Sequence, residues 1–218
     1  HCSFGTIEHV NATVCLSTGL IQIGVAVICV GFKTIGRCEE LKLLCLGQGM
    51  TEQLPYTVLR DFRDFELRRY PSYNLVQVEE RADYTQAGYR GFNPLFQFIT
   101  GSNSANQSIA MTAPVIQREV AAGTYAVSFV MPAAMSAENI PAPRNPSVKT
   151  VHVPEHDAAV ISFSGLWSES KFNKVAERLR QAVQREGRVA RGEVYSARYD
   201  PPWKPGFLRR NEALLDLA

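Results

Sequence analysis

The sequence predicts an α+β domain. A distorted antiparallel β-sheet, curling toward a barrel, is built from two tandem β-α-β-β repeats and carries two flanking helices. Three observations predict it. Extended runs are interrupted by two stretches with helical spacing of apolar residues. The pattern around the first of these returns 83 residues later. Both passes also lie beyond residue 50, where composition changes: all five cysteines precede Met50, and all twelve prolines and both tryptophans follow it.

The elements follow in order. Residues 56–67 read as extended, and Tyr70-Pro71-Ser72 turns the chain. Residues 74–79 alternate as a half-buried strand does. Tyr89, Phe92, Phe96 and Ile99 recur at helical spacing, so a helix is expected over about 86–100, with Gly101 placed as a C-terminal cap. Pro94 either kinks that helix or stands in its first turn behind an Asn93 cap. Residues 109–117 and 125–131 are again extended. Pro114 falls inside the first of these runs. Proline donates nothing to a ladder, so this strand should stop at Pro114, at the rim of the sheet.

Residues 132–146 form a proline-rich connector, and the pattern then restarts. Residues 148–153 are extended, Pro154-Glu155-His156-Asp157 turns, and Ala159, Ile161 and Phe163 lie on one face of the next strand. A second helix over about 168–186, capped by Ser168 or Ser170, carries Phe172, Val175, Ala176, Leu179, Ala182 and Val183 as one stripe. Gly187 ends it, and residues 193–199 are extended. Residue 89 should therefore correspond to residue 172. Two helices on a duplicated sheet leave a groove bounded by aromatic residues, the default place for a ligand.

Residues 1–49 read as a separate N-terminal extension. Positions 9–32 lack Asp, Glu, Lys and Arg, a length sufficient to span a bilayer. Lys33, Arg37 and Lys42 follow, which would put the C-terminal side inside. Three readings stay open: a membrane anchor, a translated segment not native to the domain, or a folded extension. The domain over 50–218 is expected in the cytoplasm, or anchored to a membrane if residues 1–49 are native.

The formal charge of +2 gives no nucleic-acid footprint. Glu177 and Glu186 interrupt the basic second helix, as on a solvated face. GxSxG, Walker and HExxH motifs are absent, and residues 50–218 contain no cysteine, so no enzyme is expected.

Several strings have a recognisable order and spacing. They are Phe65-Glu66-Leu67-Arg68-Arg69-Tyr70, Ile109-Ala110-Met111-Thr112-Ala113-Pro114-Val115, Phe163-Ser164-Gly165, and Arg198-Tyr199-Asp200-Pro201-Pro202-Trp203 with Arg209-Arg210-Asn211-Glu212. Through them, residues 54–212 resemble the SOUL/haem-binding protein family. The resemblance implies a distorted barrel of two repeats that binds haem or another porphyrin, as a carrier or buffer. Haem iron takes an axial His, Cys, Met or Tyr; no cysteine is available in the domain, and an axial histidine would come from His152 or His156, its two histidines. Without one, Phe92, Leu95, Phe96 and Ile99 of the first helix are the candidate groove residues, with a neighbouring Arg or Lys for the propionates. No metal site is expected. The alternative is a module for another flat apolar molecule, with Glu66 or Glu193 as the carboxylate that a hydrolytic activity would use.

Overall fold

The computed structural model describes residues 51–218. The expectations for residues 1–49, including a bilayer span at 9–32, lie outside the described residues. Among the described residues no helix is long and apolar enough to cross a membrane. A chain beginning at Met50 contains every described element. It is expected to melt in one cooperative calorimetric transition, and loss of cooperativity would assign 1–49 to the fold.

The first half runs β2 (Thr57–Asp61), β3 (Glu66–Tyr70), β4 (Tyr73–Arg81), α1 (Tyr84–Ile99), β6 (Val115–Ala121) and β7 (Thr124–Val130). The second runs β8 (Lys149–Val153), β9 (His156–Phe163), α2 (Glu169–Arg185), β10 (Tyr195–Arg198) and β11 (Asn211–Asp216). These strands form one nine-stranded antiparallel sheet, ordered β2-β3-β9-β11-β10-β6-β7-β4-β8, which curls into a half-barrel. Short β1 (Glu52–Gln53) and β5 (Thr112–Ala113) pair in parallel beside it.

The predicted duplication is present. Strands β3 and β8 start 83 residues apart, as do β4 and β9, while the helices start 85 apart. Read outward from the β6–β10 seam, the sheet gives β7, β4, β8 on one side and β11, β9, β3 on the other, with β2 added beyond β3. That is a pseudo-two-fold arrangement in which β3 of the first half pairs with β9 of the second and β8 of the second pairs with β4 of the first.

Alternation gives the sheet two buried faces. On the helix side, Val76, Val78, Val127 and Phe129 pack with Leu95, Phe98 and Ile99 of α1. Ala159, Ile161, Ala213 and Leu215 pack with Ala176, Leu179, Ala182 and Val183 of α2. The concave face carries Tyr70, Leu75, Ile116, Val160, Tyr195 and Leu214.

Capping explains both helix boundaries. Asp83 accepts from the Gln86 backbone N–H at 2.8 Å, and Ser168, rather than Ser170, accepts from that of Lys171. Gly101 and Gly187 have φ of 116° and 65°. Each opens a closing pair of bonds, Gly101 N to Phe98 O with Ser102 N to Gln97 O, and Gly187 N to Gln184 O with Arg188 N to Val183 O. Asn93 is not a cap, because α1 runs through Pro94. Pro114 does end a strand, β5, and β6 begins at the next residue.

Two strands depart from the sequence reading, the short β1 and β11. β11 pairs with both β9 and β10 and was not expected. Its concave face places Glu212 at the centre of a buried network. Glu212 is fully buried and accepts from Arg68 Nη1 at 3.0 Å, Arg210 Nη2 at 2.7 Å, the Tyr199 hydroxyl at 3.0 Å and the Ser162 hydroxyl at 3.0 Å. Burial pushes the Tyr199 hydroxyl pKa up, and the adjacent Glu212 adds to it, so the phenol stays a donor.

Candidate functional site

Helix α1 lies close against the sheet because two glycines permit it. A Cβ at Gly91 would sit 2.7 Å from the Val127 Cβ, and one at Gly88 would sit 2.6 Å from Arg198 Nη1. Of the aromatic side chains of α1, Tyr84 and Phe98 are buried and three fall on its outer flank. Tyr89 is 62% exposed, Phe92 39% and Phe96 45%. Phe92 and Phe96 stack at 5.8 Å between ring centroids, and Phe92 meets Phe129 of β7 edge-on at 5.1 Å.

The N-terminal end of this aromatic face meets the loops 164–168 and 199–210. Tyr89 lies 6.3 Å from Trp167, ring to ring. The guanidinium groups of Arg198 and Arg209 lie over the Trp167 ring at 4.8 and 5.5 Å. Arg209 holds its own loop by donating to the carbonyls of Lys204 and Pro202. The two loops are tied by Gly165 N to Gly206 O at 2.9 Å and Asn211 Nδ2 to Gly165 O at 3.0 Å. Leu166, Trp203 and Phe207 stand exposed on them.

Two groups here have unused capacity. Arg198 is 7% exposed, yet its guanidinium donates to a neutral amide, Gln117 Oε1 at 2.6 Å. No ion pair among the described residues includes it. The Trp167 Nε1 donor is buried without a hydrogen-bond partner among the described residues. A buried cation and a buried N–H, both lacking an anionic acceptor, adjoin a flat aromatic surface.

The six candidate residues from sequence are separated by the fold. Phe92 and Phe96 belong to the aromatic face. Leu95 and Ile99 are 0% and 3% exposed and pack in the core beneath it, so they line no surface groove. His152 lies on edge strand β8, its Nδ1 3.0 Å from Asn74 Oδ1, and β4 separates that strand from Phe129 on β7. His156 lies on the concave side, stacked on Tyr70 at 5.5 Å, with Nδ1 donating to Pro154 O. Neither histidine stands at the aromatic face. No cluster of metal-binding side chains occurs among the described residues. Glu66 pairs with Arg68 and Glu193 with Arg180. Trp167 is not marked by the sequence, and Arg198 and Arg209 stand there only within the closing family string, with no role of their own. The available signal was the arginine of Tyr195-Ser196-Ala197-Arg198, in a strand buried on both faces.

Comparison with known proteins agrees with this architecture. Residues 51–216 match the family described as SOUL heme-binding protein. Heme-binding protein 2 of Mus musculus is 28% identical over 158 residues, which covers 67% of this chain and 74% of that protein. The crystal structure of the EcmrR C-terminal domain aligns with a TM-score of 0.55 at 13% identity, over 75% of this chain and 98% of that one. The cryo-EM structure of an EcmrR–DNA complex aligns at 0.53 and 12% identity, over 82% of this chain and 62% of that one. At such identity these two likenesses show the fold alone.

Proposed function

The chain belongs to the SOUL heme-binding family, and from that premise we propose that it carries or buffers a tetrapyrrole on the outer flank of α1. The macrocycle lies against Tyr89, Phe92 and Phe96, and a propionate meets Arg198 and the Trp167 N–H. The observation that carries this reading is Arg198, a buried cation with no carboxylate partner among the described residues, beside an exposed aromatic surface. A flat, dianionic, apolar molecule complements both features. The cleft between the helices does so less well. Its walls carry Glu119, Glu169, Glu177 and Glu193 against Arg180, which would repel propionates. The protein is proposed as a binding protein rather than a catalyst, acting in the cytoplasm.

Apolar burial supplies roughly 25 cal/mol per Å², and much of it is offset by lost freedom and by desolvation of the propionates. Binding is therefore modest. Iron adds little, because neither histidine reaches the ring. Titration with haemin should give a saturable shift of the Soret band, and metal-free protoporphyrin should bind almost as well. Replacing both His152 and His156 by Ala should change haemin affinity by less than about tenfold. A larger histidine effect would point to an axially ligated haem protein. Failure of every porphyrin to bind would leave the second reading, a module for another flat apolar ligand.

A further inference from the structure

The concave face of the sheet, away from both helices, encloses a second space. Where the half-barrel opens, β4, β6, β7, β8, β9, β10 and β11 border a chamber of about 410 Å³. That is within the range of small-molecule sites, and barrel mouths are a common place for them. Its composition follows from alternation. Leu75, Ile116, Ala126, Val151 and Val153 form apolar walls at positions whose side chains face inward. The tetrapyrrole reading makes no use of this chamber.

Its polar groups are unevenly distributed between donors and acceptors. Asp216 is the carboxylate of the chamber, and it is occupied. Its Oδ1 accepts from the Tyr195 hydroxyl at 2.7 Å and its Oδ2 from Arg118 Nη2 at 2.8 Å. Arg118 lies over the Tyr195 ring at 3.9 Å with 36% of its side chain exposed. A guanidinium has five N–H donors in a fork suited to carboxylates, so one bond to Asp216 leaves it capacity for a second acceptor. Arg191 adds another cation at the rim, and its backbone N–H donates to the Asp216 carbonyl at 2.7 Å. Gln77 and Tyr73 face the same space. Burial pushes the Tyr73 and Tyr195 hydroxyl pKa values up, with Asp216 adding to both, so each keeps its proton.

We propose that this chamber binds a small monocarboxylic acid with an apolar body, its carboxylate on Arg118 and its body against the aliphatic walls. Two guanidinium groups face a single, already paired carboxylate, which sets the sign of the head group. The walls of Leu75, Ile116, Val151 and Val153 set the character of the rest. No covalent step is involved.

The test is isothermal titration calorimetry of the full chain with 4-phenylbutyrate and with its neutral amide. The acid should bind at least tenfold more tightly than the amide, and Arg118→Gln should remove that difference. Because Arg118 also pairs with Asp216, thermal melting accompanies the variant. If R118Q unfolds, the acid-against-amide comparison on the unchanged chain still decides. Val151→Trp, which fills the chamber from a half-buried position, should weaken the acid at least tenfold. Equal binding of acid and amide overturns the proposal, as does absence of binding at millimolar acid. Retention of full affinity in V151W overturns it too. Haemin titration in saturating phenylbutyrate should be unchanged, since α1 lies on the other face. Competition between them would place the acid on the α1 flank and overturn the chamber site while leaving the tetrapyrrole reading intact.

Discussion

Replacing Glu212 by Ala is expected to lower the unfolding free energy by about 3–5 kcal/mol, the range for removing one partner of a buried ion pair. The carboxylate is fully buried, and Arg68 beside it is 2% exposed. Truncation leaves that guanidinium with only the half-exposed Glu66, and Arg210 without its anion. It also strips the Tyr199 and Ser162 hydroxyls of their acceptor. Most domains are stable by about 5–15 kcal/mol, so a loss of this size leaves a fraction of the chain unfolded at 37 °C. Denaturant melts with an unchanged m value would report it. Removing both fully buried charges, as Arg68→Met with Glu212→Leu, should recover a large part of the loss, because the charges left unpaired, Arg210 and Glu66, are 34% and 39% exposed and reach water. A deficit below 1 kcal/mol in the single variant would mean that the network contributes little to stability.

Phe92→Asp and Leu95→Asp should fail in different ways although they lie three residues apart. Phe92 is 39% exposed and Leu95 fully buried. A carboxylate at 92 can reach water, so the fold should lose only about 1–2 kcal/mol of aromatic packing on Phe129. It would repel propionates and remove a stacking surface, weakening haemin by at least about tenfold. A carboxylate at 95 has no route to solvent and no partner, so that variant should not fold. Soret titration and thermal melting on both variants separate the cases. Full haemin affinity in F92D would remove the α1 flank from consideration.

The same pair shows how much the sequence reveals. Helical spacing in Tyr89, Phe92, Phe96 and Ile99 identified α1 but suggested a single apolar stripe. In the fold that stripe divides, with three rings outside and Ile99 inside. The face pressed on the sheet is marked instead by Ala87, Gly88 and Gly91, whose lack of bulk is what lets helix and sheet meet. A hydrophobicity pattern registers large apolar residues and passes over small ones. The duplication was legible because polarity patterns survive where letters do not. Strand β11 was illegible for the opposite reason. It is buried on both faces and carries Glu212 and Asp216 inward, so the alternation that marks a half-buried strand is inverted. Arg198 and Trp167 were hidden because their meaning lies in missing partners, and partners are known only after folding.

The exchange of β3 and β8 between the halves constrains how the chain can be made. A nascent chain that has emerged only as far as the connector holds β4, β6, β7 and α1, but the outer edge of β4 is bare until Lys149–Val153 arrives to pair with Tyr73–Gln77. Strand β3 waits as well, since its partner on the inner side is β9. Nothing made before residue 149 can therefore complete either side of the sheet. The first half is synthesised as an unpaired edge, the state in which strands recruit one another between molecules. Two chains crowded on one messenger could trade these strands with each other as readily as within themselves. Slow synthesis through the 132–146 connector should then raise the yield of dimers and aggregates, because it lengthens the interval in which β4 has no neighbour.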